Sequence, residues 1–100
     1  MIVVREVFTA KPGQASKLAK LLRKGFPQDS NTHVMTDLVG EYNTVVVEMR
    51  VESLAEFERQ MEEYRSGKPD LKMDPKVAEE MSKYTEMYTT GRREIFQVVA

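Results

Sequence analysis

Glu48 and Arg50 are the two side chains of the sequence whose types and spacing most directly suggest chemistry. They are two residues apart in a predicted strand, so both project from one face of it. The other face is purely apolar and is formed by Val45, Val47, Met49 and Val51. An arginine here can hold a planar anion or an enolate through two parallel hydrogen bonds, and a glutamate can act as a base or orient the ligand. The structural alternative is an ion pair between the two at the rim of an interface.

His33 is the single histidine of the chain and the third candidate for a catalytic or ligand-contacting residue. Asp37 shares its strand face, but the rise of an extended strand places the two about 13 Å apart. One metal ion therefore cannot bind both without a distortion of the strand, and a structural or solvated role for His33 is the alternative. Either Arg5 or Glu6 of the first strand could complete the candidate group, and the sequence does not decide between them.

The composition excludes several kinds of site. The chain has 100 residues, no Cys, no Trp and one His. Without cysteine there is no disulfide, no thiolate metal site and no cysteine nucleophile. One histidine offers few ligands for a transition metal, and the sequence contains no glycine-rich motif for a phosphate or a dinucleotide. We therefore expect a protein that binds no metal, haem, flavin or other cofactor.

The charge and hydropathy patterns argue against nucleic acid and membrane partners. Fifteen Lys and Arg oppose sixteen Asp and Glu, with a formal net charge of −1, whereas nucleic-acid-binding proteins usually carry a strong basic excess. No apolar run approaches the length of about 20 residues that a membrane helix needs. The first residues also lack the basic start and apolar middle of a signal peptide, which predicts a cytoplasmic protein.

Hydrophobic periodicity predicts a single domain over residues 1–100. Strands are expected over 2–9, 32–39, 44–52 and 93–99, and helices over about 13–25, from Ser53 to a break at 66–70, and from Asp74-Pro75 to about residue 88. Ser53 and Glu56 have the spacing of a capping box. Helical stripes place Tyr64, Tyr84 and Tyr88 in the predicted core. The order β-α-β-β-α-α-β predicts an α+β, ferredoxin-like fold with a four-stranded antiparallel sheet and its helices on one side.

Both faces of the predicted strands carry large apolar side chains, although the helices can cover only one face. In the first strand, Val3 and Val7 lie on one face, and Ile2, Val4 and Phe8 lie on the other. Apolar patches of this size usually mark a partner surface. Since the chain offers no second domain to cover the patch, we predict a homodimer.

Three segments carry a resemblance to a known superfamily. They are Lys11-Pro12-Gly13 between a strand and an amphipathic helix, Gly40-Glu41-Tyr42-Asn43 before the strand that leads into Glu52-Ser53-Leu54, and the closing Gly91-Arg92-Arg93-Glu94-Ile95-Phe96. Together with the order of elements, they resemble the dimeric α/β-barrel superfamily, in which two ferredoxin-like sheets close face to face. Within it the chain is most similar to the NIPSNAP-like and antibiotic-biosynthesis-monooxygenase-like branches. The haem-degrading members depend on a Trp, which this chain lacks.

The resemblance implies two classes of function. One is a cofactor-independent monooxygenase or isomerase that acts on an aromatic or lactone-type substrate, with His33, Glu48 and Arg50 as the candidate catalytic residues. The other is a non-catalytic, ligand-binding or stress-associated dimer, so the sequence leaves open whether the protein is an enzyme. In either class we expect a small apolar or anionic aromatic ligand between the sheet and the dimer partner or at the barrel mouth. Arg50 would be the principal charged contact.

Overall fold

Strands and helices follow one another along the chain in the predicted order. The computed structural model describes residues 1–26, 31–65 and 75–100. Its elements are β1 (Ile2–Ala10), α1 (Ala15–Gly25), β2 (Thr32–Thr36), β3 (Thr44–Val51), α2 (Leu54–Arg65), α3 (Pro75–Met81), a short 3₁₀ helix (Tyr84–Met87) and β4 (Tyr88–Gln97). The predicted break at 66–70 and the expected cap Asp74 lie outside the described residues.

The four strands form one antiparallel sheet in the order β2-β3-β1-β4. β3 lies between β1 and β2, so α1 must cross over β3 to connect its two neighbours. This split β-α-β connection makes the chain a ferredoxin-like α+β fold, as the sequence predicts.

One face of the sheet packs against the helices. Val4, Val45 and Val47 on this face are fully buried. Two apolar clusters contain most of the buried residues: Phe8, Ala10, Leu18, Leu22, Val45 and Val47 in one, and Ile2, Val4, Val51 and Phe57 in the other. The alternation predicted for β3 is therefore confirmed, and its odd-numbered residues face the helices.

The last strand begins earlier than predicted. The sequence predicts a helix to about residue 88 and a strand over 93–99, whereas α3 ends at Met81 and β4 starts at Tyr88. Pairing with β1 is the reason, because β1 continues to Ala10, which lies opposite Tyr88. The backbone hydrogen bonds of that pairing outweigh the helical spacing of Tyr84 and Tyr88.

Gly91 lies inside β4, before the predicted start of that strand at residue 93. It stands opposite Phe8, and a Cβ atom at this position would come within 3.2 Å of the Phe8 ring. The glycine therefore allows a close approach within the sheet.

The Tyr84 and Tyr88 rings pack against Phe8, with centroid distances of 6.1 and 4.8 Å. Their predicted core role is confirmed, and the Tyr64 side chain lies outside the described part of the structure.

The helix α2 begins at the predicted cap. The Ser53 hydroxyl accepts a hydrogen bond from the Glu56 amide at 3.2 Å. The Glu56 carboxylate does not complete the expected box, since it accepts hydrogen bonds from the Arg59 side chain one turn along the helix. That guanidinium holds the pKa of Glu56 below its usual value.

Within the described residues, no helix combines the length and the apolar character that a membrane span requires.

The hairpin between β2 and β3 is held by Asp37. β2 ends at Thr36 rather than at the predicted residue 39, because the Asp37 carboxylate accepts hydrogen bonds from the backbone amides of Tyr42 at 2.8 Å and Thr44 at 3.1 Å. Tyr42 and Asn43 adopt the left-handed conformation, with φ of 70° and 56°. Such residues turn the chain tightly, and asparagine tolerates the conformation better than most.

We expect Asp37→Ala to lower the free energy of unfolding by about 1–2 kcal/mol, because two backbone amides lose a charged acceptor. Urea denaturation measures this change. Asp37→Asn keeps one acceptor oxygen and should have an intermediate effect. Glu41→Ala, on the same hairpin, is the control and should change the stability by less than about 0.5 kcal/mol. Equal stability of Asp37→Ala and the unchanged protein would contradict the assigned role.

Candidate functional site

The sheet face opposite the helices, which we call the open face, carries all three predicted site residues. Strand pairing places His33 opposite Glu48, Glu48 opposite Arg5, and Arg5 opposite Glu94. Directly opposed residues of antiparallel strands share a face. One row of four ionisable side chains, His33, Glu48, Arg5 and Glu94, therefore crosses the sheet from β2 to β4. We call it the charged row.

Arg5 is the centre of the charged row. Its Nε donates to the Glu48 carboxylate at 2.9 Å. Its guanidinium carbon also lies 5.5 Å from the centroid of the Phe96 ring, a distance at which a cation is attracted to an aromatic face. Glu48 is only half-exposed. Glu48 therefore pairs with Arg5, and not with Arg50 as in the ion pair that the sequence offered as the structural alternative.

Arg50 lies on the next row of the open face. Val3 stands opposite Arg50 on one side and opposite Phe96 on the other, so Arg50, Val3 and Phe96 follow one another across three strands. The Arg50 side chain is exposed, and its backbone amide donates to the Asn31 carbonyl at 2.9 Å. Two strand spacings separate Arg50 from Phe96, which is about 10 Å. This row offers a cation, an apolar floor and an aromatic ring.

Glu6 lies on the opposite side of the sheet. It pairs with Arg93 on the face that meets the helices, and the Arg93 guanidinium carbon lies 5.2 Å from the centroid of the Phe57 ring in α2. The question that the sequence left open is therefore answered: Arg5 joins the candidate group, and Glu6 does not.

Apolar side chains flank the charged row. Val7 and Val46 lie opposite each other in the middle of the open face, with Met35 beside Val46. Met35 is 40% exposed and Phe96 is 47% exposed.

The sequence analysis did not predict that Arg5 lies opposite Glu94 and over the Phe96 ring. The alternation of Arg92, Glu94 and Phe96 indicates that the three side chains share one face of a strand. It places them beside Arg5 only once β4 is known to pair with β1 along its whole length.

The described residues contain no set of three or more His, Asp or Glu side chains close enough to hold a metal ion. Two open depressions lie outside the charged row. A groove of about 1060 Å³ runs between α1 and the β2–β3 hairpin. A hollow of about 650 Å³ lies at the start of α2 and includes Arg50 at its border.

Solved structures with the same arrangement include NIPSNAP proteins and a monooxygenase-like protein. An uncharacterised NIPSNAP domain protein from Burkholderia xenovorans has a TM-score of 0.76 at 15% identity, over 100% of this chain and 96% of that one. A NIPSNAP family protein from Agrobacterium tumefaciens has a TM-score of 0.72 at 12% identity, over 98% and 85%. A protein from Chloroflexus aurantiacus, provisionally assigned as an antibiotic biosynthesis monooxygenase, has a TM-score of 0.66 at 13% identity, over 99% and 93%.

The chain shares the fold of the NIPSNAP and monooxygenase-like structures. The resemblance seen in the sequence is confirmed at this level. At such low identities the likeness concerns the fold and carries no assignment of activity. Comparison of the sequence with protein families and with curated proteins finds no match.

Proposed function

We propose that the protein is a homodimer that closes through its open face and binds a small anionic aromatic molecule there. The observation that carries the proposal is the row of Arg50, Val3 and Phe96 beside the charged row. It combines an exposed cation with an aromatic ring about 10 Å away, across an apolar floor. A planar aromatic anion matches this arrangement, because its ring can lie over Val3 while its charged group meets Arg50.

The dimer rests on the composition of the open face. Valine, methionine and phenylalanine side chains occupy a surface that the helices of the same chain cannot cover. Four of the charged groups among them are already paired, since Arg5 binds Glu48 and Arg92 lies 3.5 Å from Glu94, and Arg50 is the group that a ligand anion would pair with. Paired charges can be buried in an interface at a much lower cost than isolated ones. A second copy of this chain is the partner that the arrangement favours.

Two candidate functions share this site. As an enzyme, the dimer would be a cofactor-independent monooxygenase or isomerase of an aromatic or lactone-type substrate, with Glu48 as base and His33 as the neighbouring proton carrier. The fold shared with a structure provisionally assigned as a monooxygenase supports this candidate. A non-catalytic binding protein is the second candidate. The Arg5–Glu48 ion pair favours it, because Arg5 occupies a carboxylate oxygen that a catalytic base would present to its substrate.

Calorimetry with 2-naphthoate, a planar aromatic carboxylate, tests the site. We expect Arg50→Lys to keep the fold and the dimer but to weaken 2-naphthoate binding about tenfold, because an ammonium group cannot donate two parallel hydrogen bonds to a carboxylate. The matched control is Arg92→Lys, which makes the same change on the open face of β4, two rows away from Arg50, and should bind normally. Unchanged affinity of Arg50→Lys, or no binding by the unchanged protein, would contradict the proposal.

Oxygen uptake separates a monooxygenase from a non-catalytic binding protein. With the electron-rich 3-hydroxy-2-naphthoate as substrate, a monooxygenase would consume oxygen, and Glu48→Gln would abolish turnover while keeping much of the binding. A binding protein would hold the same compound without oxygen consumption.

A further inference from the structure

The groove of about 1060 Å³ between α1 and the β2–β3 hairpin lies on the helix side of the sheet, away from the open face. Its floor includes Ala15, Ala19 and Val34, which pack against the main core cluster. One wall is α1, and the other is the hairpin that Asp37 holds in place. The groove is therefore built on a helix and a locked turn, so it exists before any ligand arrives.

The hairpin wall is unusually apolar for an exposed loop. Leu38 is 99% exposed, Val39 is 97% exposed and Tyr42 is 81% exposed, and all three line the groove. Side chains of this kind are normally found at surfaces that become covered. An apolar ligand lying along the hairpin would remove them from water.

The helix wall is basic. The segment Ala15–Gly25 contains four basic residues and no acidic one, and Lys20, Arg23 and Lys24 line the groove. Among the described residues that line the groove, Asp37 is the one carboxylate, and its two oxygens already accept backbone amide hydrogen bonds. The groove thus joins an apolar wall to a cationic one.

We propose that this groove is a binding site for a single-chain amphipathic carboxylate, such as a fatty acid or an alkyl carboxylate of similar length. The alkyl chain lies against Leu38, Val39 and the alanines of the floor, and the carboxylate lies beside Lys20 and Lys24. Charge complementarity selects an anion over a cation, and the concave apolar wall selects an alkyl chain over a small inorganic anion. The site lies across the sheet from the proposed dimer interface and does not depend on it.

Titration of the full chain with monomeric sodium decanoate, followed by NMR chemical shifts, tests the proposal. Shifts should concentrate in Ala15–Gly25 and residues 34–43. Affinity should rise by up to about fourfold for each methylene between octanoate and dodecanoate. The double variant Lys20→Gln, Lys24→Gln should weaken decanoate binding about fivefold and leave binding of 1-decanol unchanged.

Matched variants test the contribution of each groove wall to decanoate binding. Lys17→Gln removes a cation from the same helix outside the groove and should leave decanoate affinity unchanged. Leu38→Ser with Val39→Ser should weaken both decanoate and 1-decanol. Arg50→Lys should have no effect on decanoate, which distinguishes this site from the one on the open face.

Three results would overturn the proposal. The first is equal affinity for decanoate and the cationic decyltrimethylammonium ion. The second is decanoate binding that none of the groove variants changes. The third is binding to phosphatidylglycerol vesicles without binding to monomeric decanoate, which would reassign the groove to a membrane surface.

Discussion

Val46→Asp is expected to sediment as a monomer, or to lose its fold, at micromolar concentrations where we expect the wild-type protein to be a dimer. Val46 lies in the middle of the open face, opposite Val7 and Met35. In the proposed dimer a carboxylate there would be buried without a cationic partner. Each of the two protomers would contribute one such carboxylate. A cost of about 3 kcal/mol corresponds to a more than hundredfold weaker association. Sedimentation velocity measures the mass, and circular dichroism shows whether the fold persists.

Two further variants make the dimer test decisive. Leu54→Asp introduces the same charge at an apolar residue that is 60% exposed on α2, away from the open face, so this variant should remain a dimer. Phe96→Ser removes a half-exposed ring of the open face and should weaken the dimer without unfolding the monomer. A wild-type protein with a stable mass near 11.5 kDa would rule out the homodimer, and a dimeric Val46→Asp variant would rule out the open face as its interface.

Leu18→Ala is expected to lower the free energy of unfolding by about 2–5 kcal/mol. Leu18 is fully buried and belongs to the cluster that joins α1 to Phe8, Val45 and Val47. Removing its branched end leaves a cavity between a helix and a sheet, which relax only in part. In a domain of this size such a loss is a large share of the total stability.

Urea denaturation at two protein concentrations measures the effect of Leu18→Ala, because the unfolding midpoint of a dimer rises with concentration. Lys17→Ala is the control: it shortens an exposed neighbour on the same helix and should change the stability by less than about 0.5 kcal/mol. A loss below about 1 kcal/mol for Leu18→Ala would mean that α1 does not depend on this cluster.

The sequence predicts the candidate site only in part, and strand pairing explains the difference. Period-two alternation is a local property, so the shared face of Glu48 and Arg50 follows from β3 alone. The opposition of His33 to Glu48 depends on the register of two strands. The pattern within either strand does not determine that register. The neighbours of a side chain across the sheet therefore cannot be predicted until the pairing of the strands is known.

The sequence by itself determined the order of the elements, the ferredoxin-like fold, the Ser53 cap of α2 and the apolar composition of both sheet faces. Each of these follows from interactions among residues close together in the chain. The tertiary structure alone decided that β4 starts at Tyr88 and that Arg5 rather than Glu6 meets Glu48. These outcomes depend on contacts between distant segments, because the length of a strand and the partners of its side chains are set by the strand that it pairs with.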